Sequence, residues 1–287
     1  MVSIVIINYN TFSLTCNCIH SVIGHTKEVS HEIILVDNGS DECDPDLFKQ
    51  KFPEIILIKN SKNLGFAGGN NQGIINAKGE YILLLNSDTI LKNDAISLTV
   101  NEMKRCNVQL TTCKVLNADE SVQPVCSFFP SVKFSILGFF GLIQLFRKLR
   151  LKKFSFEYDY SKTQKVEWIW GCFFLFKREI LKQFPGEKFP EDYFMYGEDM
   201  QWCYLLRKKD IDAWYFPEGI IYHLFSGNKT SQDPSVNRGI RNRIIFLKRY
   251  YSRWRYTWIF FFETMTSLTR LRWKYLFKKV KLYFTLR

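Results

Sequence analysis

Asp88 is the first residue whose position suggests chemistry, because it stands just beyond the apolar run Tyr81–Leu85. A short apolar run bounded by a glycine and by polar residues is typical of a strand buried on both faces of a sheet. The carboxyl ends of such strands form ligand sites, so Asp88 would be delivered to a site. Together with Ser87 and Thr89 it also fits a helix N-cap, and the segment alone does not decide between the two.

Polar residues end two earlier apolar runs as well. Asn8 and Asn10 follow the first run, and Asp37 and Asn38 follow the second. The glycine-rich segment Asn63–Asn71 then precedes a helical pattern, and backbone at a helix N-terminus suits a phosphate. This segment has neither the spacing of a dinucleotide fingerprint nor the lysine of a nucleoside-triphosphate loop. Its glycines would alternatively serve a turn and close helix packing.

Carboxylates among aromatic residues mark a third region, Phe189–Cys203, which contains Glu191, Asp192, Glu198 and Asp199. Acids in such surroundings are candidates for a perturbed pKa and for proton transfer. The alternative is that Glu198 and Asp199 only favour the first turn of a helix. A lone histidine further on, His223, is more often a structural hydrogen-bonding group than a ligand.

The elements that must position these residues alternate between strand and helix four times, with polar residues after each strand. This pattern predicts an α/β fold built on a parallel sheet with right-handed crossovers. Further strands are predicted over Val108–Leu116, Val166–Phe176 and Ala213–Phe216. The apolar run Phe134–Phe146 is shorter than the roughly 20 residues of a membrane span, and it fits either a core helix or an interfacial segment.

Charge is distributed unevenly along the 287 residues, whose net charge is +12. Residues 238–287 hold 14 Lys and Arg and one acid, Glu263, so this tail carries +13 and the rest of the chain −1. Such a tail predicts contact with an anionic surface, either membrane phosphate or nucleic acid. Because aromatic RNA-reading motifs are absent, we expect no nucleic-acid partner.

The eight cysteines form no C-x-x-C pair, which argues against a zinc site. The N-terminal MVSIVIINYN has no basic leader and is typical of a first strand rather than a signal peptide. We therefore expect reduced, mostly buried thiols in a cytoplasmic protein.

Seven segments occur in consistent order: VSIVIINYN, EIILVDNGSDE, NLGFAGGNNQGI, YILLLNSDT, WGCFFLFKRE, DYFMYGEDMQWC and HLFSGN. Together they resemble the family 2 glycosyltransferases, inverting enzymes with the GT-A fold, and in particular the rhamnosyltransferase-like branch of bacterial surface-polysaccharide biosynthesis. The resemblance implies a mostly parallel, Rossmann-like sheet flanked by helices. It implies a catalytic domain over residues 1–237, with a nucleotide-sugar half (1–116) and an acceptor half (117–237), and a basic helical tail over 238–287.

The resemblance also implies a donor site. Asp37 would accept a hydrogen bond from the nucleotide base. Asn86-Ser87-Asp88 stands where the family's metal-binding D-x-D motif falls, with Asn in its first position. Asp88 and the donor diphosphate would bind Mg²⁺ or Mn²⁺, with His223 as a further ligand. The implied donor-binding set is Asn8, Asn10, Asp37, Asn38, Asn63, Gly65, Phe66, Gly68, Asn70, Asn86, Ser87 and Asp88.

Inverting transfer needs one base that deprotonates the acceptor hydroxyl as it attacks the anomeric carbon. The family's Glu-Asp pair falls on Glu198 and Asp199, and Asp199 is the preferred base because apolar surroundings suit a base that works near neutral pH. Gln201 stands where many relatives carry an acid. The acceptor groove would include three consecutive residues, Trp170, Gly171 and Cys172.

The tail resembles the family more loosely, through the basic stretch Arg238, Arg241, Asn242 and Arg243. Beyond it, five apolar residues recur at helical steps: Trp254, Trp258, Phe261, Met265 and Leu268. This pattern predicts an amphipathic helix on an anionic bilayer, with packing on the catalytic domain or against a second subunit, as in a homodimer, as the alternative. It predicts a cytoplasmic enzyme peripherally associated with the inner face of the cell membrane.

The expected reaction is transfer of a sugar from dTDP-rhamnose or a UDP-sugar to an oligosaccharide or lipid-linked acceptor. Two alternatives stay open at this point. One is a catalytically silent subunit that binds nucleotide sugars, suggested by Asn86 and Gln201. The other is a basic nucleic-acid-binding protein, which the charge of the tail permits.

Overall fold

The computed structural model describes residues 1–149, 151, 156–224, 234–269 and 273–285. In these ranges the main sheet has the strand order β3-β2-β1-β4-β10-β6-β11-β5, with β8 beside β11. The strands are β1 (Val2–Asn8), β2 (His31–Asp37), β3 (Ile56–Lys59), β4 (Tyr81–Asn86), β5 (Thr89–Leu91), β6 (Leu110–Leu116), β8 (Gln164–Val166), β10 (Phe173–Lys177) and β11 (Ala213–His223). A small second sheet pairs β7 (Cys126–Ser127) with β9 (Trp168–Ile169).

Helices connect the strands and follow them. They are α1 (Phe12–His25), α2 (Asp46–Lys51), α3 (Gly65–Asn76), α4 (Ala95–Cys106), α5 (Val132–Phe139), α6 (Leu142–Lys148), α7 (Glu198–Arg207), α8 (Pro234–Tyr250), α9 (Arg253–Thr269) and α10 (Trp273–Thr285). Two short 3-10 helices, Arg178–Gln183 and Pro185–Glu187, lie between β10 and α7. Within the described ranges, no helix is both long and apolar enough to cross a membrane.

The first four strands in chain order pair in parallel, which confirms the predicted α/β architecture. The apolar runs of β1, β2 and β4 are buried, as their unbroken β-branched and leucine residues predict, whereas the apolar residues of the edge strand β3 are only partly buried. The register places Asn8 opposite Asp37 and Ile7 opposite Asn86. The three polar strand ends therefore lie at one edge of the sheet.

The α3 helix packs closely on β1 through its glycines. A Cβ atom on Gly73 would lie 2.3 Å from a methyl carbon of Val5, and one on Gly69 would lie 2.9 Å from Ile7. A larger residue at Gly73 would displace Val5 of the sheet, whereas one at Gly69 would require the end of the Ile7 side chain to move. Close helix packing, the alternative considered for the glycine-rich segment Asn63–Asn71, therefore applies at Gly69, and it accounts for Gly73 just beyond that segment.

Three segments differ in detail from the sequence prediction. The predicted strand Val166–Phe176 is divided among β8, β9 and β10, of which β9 belongs to the small second sheet. The run Phe134–Phe146 is divided between α5 and α6 because Gly141 adopts a positive φ of 69° between them. The predicted strand Ala213–Phe216 continues to His223 as one strand, with a shift of register between Phe216 and Ile220. Pro217 lies in that interval and cannot donate a ladder hydrogen bond, which explains the interruption.

The chain forms two compact units. The first contains Met1–Ser127, Asp159–Phe194 and Glu198–Ser226, and the second contains Phe128–Tyr158, Met195–Gly197 and Gly227–Arg287. The predicted boundary between the catalytic domain and the tail, at residue 237, falls inside α8. The division of the chain into these two parts stays a prediction. The last four residues of the HLFSGN motif, 225–228, and the tail residues Arg270, Arg272 and Arg287 lie outside the described residues.

Candidate functional site

Asn8 and Asp37 meet at the ends of β1 and β2. The Asn8 side-chain amide donates to Asp37 Oδ2 at 2.8 Å and to Ser40 Oγ at 3.0 Å, and Asp37 Oδ1 accepts from the Ser40 backbone N–H. Both side chains are nearly buried, at 1% and 2% exposure. Asn8 thus holds the carboxylate of Asp37 in place, and the predicted contact of Asp37 with a nucleotide base stays a prediction.

Asn10 and Asn38 shape the neighbouring loops. Asn10 has a positive φ of 53°, and its side chain bonds to Asp41 and to the backbone of Glu42. Asn38 donates to Asn63 Oδ1 and to the Gly65 carbonyl, and accepts from Asn60 and from the Leu64 backbone N–H. These contacts order the loops around the sheet edge.

Gly65 begins α3 at a position that needs glycine. Its φ is +76°, and a Cβ atom there would lie 2.2 Å from the carbonyl oxygen of Phe194. The same carbonyl accepts a hydrogen bond from the Phe66 N–H at 2.8 Å. Gly68 and Asn70 lie within α3, where the Asn70 amide bonds back to the Phe66 carbonyl. The glycine-rich segment is thereby joined to the loop that precedes α7.

Asp88 and His223 form a polar pair beyond β4 and at the end of β11. His223 Nε2 lies 3.2 Å from Asp88 Oδ1 and 3.3 Å from the Asn86 side-chain nitrogen, while His223 Nδ1 lies 3.0 Å from Gln123 Oε1. If Nδ1 donates to Gln123, then Nε2 is an unprotonated acceptor. Ser87 points instead to Thr11, with 3.2 Å between the two hydroxyl oxygens.

His223 Nε2 and the Asp88 carboxylate could together bind a divalent cation that a bound substrate also contacts. With Nδ1 protonated, Nε2 and the carboxylate oxygen of Asp88 face each other as two acceptors, an arrangement that a shared cation would stabilise. Protonation of His223 would instead make the two residues an ion pair. In the described part of the chain, no cluster of three or more His, Cys, Asp and Glu side chains could hold a metal ion. A cation would therefore need further oxygen ligands, such as a diphosphate.

Asp199 lies in the first turn of α7, where its carboxylate accepts from the Met200 N–H at 2.8 Å and from the Gly171 N–H at 3.3 Å. Burial raises the pKa of Asp199 to about 6, although these backbone hydrogen bonds oppose the rise. A carboxylate with such a pKa is ionised at neutral pH and still basic enough to take a proton. Glu198, beside it, is 5% exposed.

The backbone of Gly171 and Cys172 connects Asp199 with the segment Asn86–Asp88. The Gly171 N–H contacts Asp199, and the Cys172 carbonyl accepts from the Asn86 N–H at 3.1 Å. A Cβ atom on Gly171 would lie 2.8 Å from the Phe66 ring, so a larger residue there would require the ring to shift. Trp170 is 39% exposed and donates its ring N–H to Ser127. The structure thus brings the predicted acceptor residues next to both the predicted base and the predicted metal motif.

Gln123 is a site residue that the sequence pattern did not reveal. It lies in the loop-like stretch after β6 and contacts His223 across 100 residues of chain. Gln201, the departure from the family pattern, is fully buried and donates to Asp192 Oδ2 at 2.5 Å. The Gln201 amide therefore links α7 to the loop that precedes it.

A family model described as glycosyl transferase family 2 matches residues 3–184. An N-acetylglucosaminyl-diphospho-decaprenol L-rhamnosyltransferase from Mycobacterium tuberculosis is 25% identical over 244 residues, which cover 77% of this chain and 76% of that protein. A poly(ribitol-phosphate) beta-glucosyltransferase from Bacillus spizizenii is 33% identical over 119 residues, 40% of this chain but only 19% of the relative. The chain therefore spans a small part of the second relative's length.

Solved structures share the fold at low sequence identity. The crystal structure of GalNAc-T7 with UDP, GalNAc and Mn²⁺ has a TM-score of 0.60 and 16% identity, covering 87% of this chain and 49% of that one. The crystal structure of TarS from S. aureus has a TM-score of 0.56 and 12% identity, covering 86% of this chain and 40% of that one. At these identities the likeness concerns the fold alone.

Proposed function

Because the chain belongs to glycosyl transferase family 2, we propose that it transfers a sugar, with inversion, from a nucleotide sugar to a saccharide acceptor. The observation that carries this proposal is the link through Gly171 and Cys172 between Asp199 and the Asn86–Asp88 turn. A base and a diphosphate-binding group must lie close together in such a reaction, because bond formation and departure of the nucleotide occur at one carbon atom.

Asp199 is the proposed base. Its carboxylate takes the proton of the acceptor hydroxyl while the hydroxyl oxygen attacks the anomeric carbon, and the bond from that carbon to the nucleoside diphosphate breaks. Glu198 precedes Asp199 in the same turn and is the second candidate. Trp170 offers the acceptor an exposed aromatic ring, a surface on which sugar rings can pack.

On the donor side, Asp88 and His223 would hold Mg²⁺ or Mn²⁺ together with the donor diphosphate. A bound cation would offset the negative charge that grows on the departing nucleoside diphosphate. Asn86 contributes an uncharged amide, so we expect little binding of the cation before the nucleotide arrives. Asp37 and the loops ordered by Asn38 would contact the nucleoside.

Nucleotide-sugar turnover tests the proposed function. We expect release of nucleoside diphosphate from one donor in a panel of dTDP- and UDP-sugars, in the presence of Mn²⁺ or Mg²⁺. Asp88→Ala should lower that turnover by about 10²-fold or more, since it removes the carboxylate ligand. Glu54→Ala, which removes an exposed carboxylate between α2 and β3, is the control for loss of charge alone. Binding of a nucleotide sugar without turnover would favour the silent subunit instead.

The proposed acceptor is a lipid-linked saccharide of surface-polysaccharide biosynthesis, reached at the inner face of the cell membrane. Support comes from the name of the mycobacterial relative and from the surface of the second unit. There, Trp254, Trp258 and Phe261 project from one side of α9 with 65%, 40% and 46% of their surface exposed, and we call them the aromatic face. Exposed aromatic rings among basic residues are typical of helices that lie on anionic bilayers.

Vesicle binding tests this surface. Replacing all three residues of the aromatic face by serine should weaken binding to vesicles containing an anionic lipid by at least about tenfold. The double variant Ile23→Ser and Ile75→Ser, which removes exposed apolar side chains from α1 and α3, should bind like the wild type. Equal binding by the triple variant would refute the membrane role. A change from dimer to monomer in that variant would assign the face to a second subunit.

A further inference from the structure

The segment Met195–Gly197, just before the proposed catalytic pair, has an unusual backbone. Tyr196 has a φ of 72° and Gly197 a φ of 111°. The left-handed region is costly for a tyrosine, and such conformations persist only where neighbouring groups hold them. Gly197 is followed directly by Glu198 and Asp199 at the start of α7. The chain thus continues from this segment directly into the first turn of α7.

Asn242 of α8 holds this segment. Its side-chain nitrogen donates to the Met195 carbonyl at 3.0 Å and to the Tyr196 carbonyl at 2.7 Å. An amide NH₂ group carries two N–H donors, so both are used on consecutive carbonyls. Asn242 is 2% exposed, and its Cβ atom lies 3.5 Å from where a Cβ atom on Gly197 would be. Asn242 thus bonds to two of the three residues of the segment, within the second unit.

The helix that carries Asn242 is fixed by charges next to it. Arg243 Nη2 lies 2.5 Å from Glu263 Oε1 of α9, and Lys279 Nζ of α10 lies 2.7 Å from Glu263 Oε2. Lys248 Nζ of α8 also donates to the Tyr283 carbonyl of α10 at 2.7 Å. Three helices of the tail therefore determine the position of the Asn242 amide.

We propose that Asn242 is a positioning residue for the transfer reaction. Its amide fixes the Met195–Gly197 backbone and, through the peptide link to Glu198, the first turn of α7 that carries the base. This inference rests on the proposed function. It assigns the basic tail a part in the chemical step, in addition to any contact with a membrane. Since small displacements of a base slow a reaction more than they weaken substrate binding, the effect should fall on kcat.

Asn242→Asp is the direct test, because it keeps the shape of the side chain and replaces both donors by acceptors. We expect kcat to fall about 10- to 100-fold, with the KM for the donor changed by less than about threefold. Asn242→Ala, which introduces no charge, should act in the same direction if the aspartate variant folds poorly. Asn242→Gln retains the amide and should recover part of kcat.

Asn76→Asp is the matched control. Asn76 is an exposed helical asparagine whose amide also donates to a backbone carbonyl, that of Gln72. Amide hydrogen exchange provides a readout that does not depend on turnover. Exchange at residues 195–201 should become at least about tenfold faster in Asn242→Asp and Asn242→Ala, and should not change in Asn76→Asp.

Two results would overturn the inference. One is an unchanged exchange rate at residues 195–201 in both Asn242 variants. The other is a loss of kcat no larger than in Asn76→Asp. If the wild type turns over no donor, the proposed function fails by itself, and hydrogen exchange alone then decides whether Asn242 holds the segment.

Discussion

Asp199→Asn should lower kcat for sugar transfer by about 10³-fold while the protein stays folded. General-base catalysis contributes about 10²- to 10⁴-fold, and asparagine cannot accept the proton of the acceptor hydroxyl. The substitution keeps the size of the side chain. It also keeps one oxygen that can accept a hydrogen bond from the Met200 N–H, as the wild-type carboxylate does. Circular dichroism and the unfolding midpoint provide the control for folding.

The pKa of Asp199 predicts how both kcat/KM and stability depend on pH. For the wild type, kcat/KM should rise with pH through an apparent pKa of about 6 and then level off. Burial places the folded-state pKa above the usual value of 3.8. Between pH 3.8 and about 6 the folded state therefore binds more protons than the unfolded state. Over this range the contribution of Asp199 to the free energy of unfolding falls as pH rises. Asp199→Asn removes this loss and should be at least as stable as the wild type at pH 7.

Stability and activity should thus change in opposite directions in Asp199→Asn. A wild-type profile that is flat between pH 5 and 7 would contradict the role of Asp199 as the base. An Asp199→Asn variant with full activity would do so as well.

Glu263→Gln should lower the free energy of unfolding by about 3–5 kcal/mol, the usual effect of removing one partner from a buried ion pair. Glu263 is the single acid of the tail and bonds to both Arg243 and Lys279. The Lys279 side chain is 5% exposed, so its charge would remain in the interior without a counter-charge. Chemical denaturation at pH 7 measures the difference.

Glu102→Gln is the matched control. The side chains of Glu102 and Glu263 are equally exposed, at 19%, and each pairs with an arginine. Arg105, the partner of Glu102, is 66% exposed, so the surrounding water screens that pair. We expect a change of about 0.5 kcal/mol or less in Glu102→Gln. Equal effects of the two substitutions would show that the Glu263 contacts do not hold the tail helices together.

The pH dependence of stability gives an independent check on Glu263. Burial alone would raise its pKa, but the charges of Arg243 and Lys279 outweigh burial and lower the pKa to about 2, from a usual value of 4.5. The unfolded state then binds more protons than the folded state between these values. The stabilisation is therefore complete above pH 4.5 and is lost as pH falls from 4.5 to about 2. Glu263→Gln should lack this part of the acid dependence.

The sheet and its polar edge could be predicted because both follow from local pattern. Buried parallel strands have unbroken apolar runs, and their carboxyl ends meet at one edge, so Asn8, Asp37 and Asn86 had to converge. The pairing of His223 with Gln123 could not be predicted in this way, since it joins residues 100 positions apart and Gln123 lies in a stretch without periodicity.

The glycines and the tail show which features could not be predicted from the sequence. A glycine pattern alone does not distinguish a phosphate loop from close packing, whereas the structure leaves no room for a Cβ atom on Gly73, which would lie 2.3 Å from Val5. In the tail, helical periodicity identified the outward Trp254, Trp258 and Phe261. It did not identify the inward partners Asn242 and Glu263, because their burial depends on contacts between helices.

Transfer of labelled sugar tests the central claim most directly. The wild type and Asp199→Asn would each be incubated with Mn²⁺, the labelled nucleotide sugar that the donor panel identifies, and bacterial membranes as the source of acceptor. Label extracted with lipid-linked saccharide would then be counted. The proposed mechanism predicts labelled product with the wild type and at most about a thousandth of that initial rate with Asp199→Asn. Equal rates of labelling by the two proteins, or no labelling by the wild type, would contradict it.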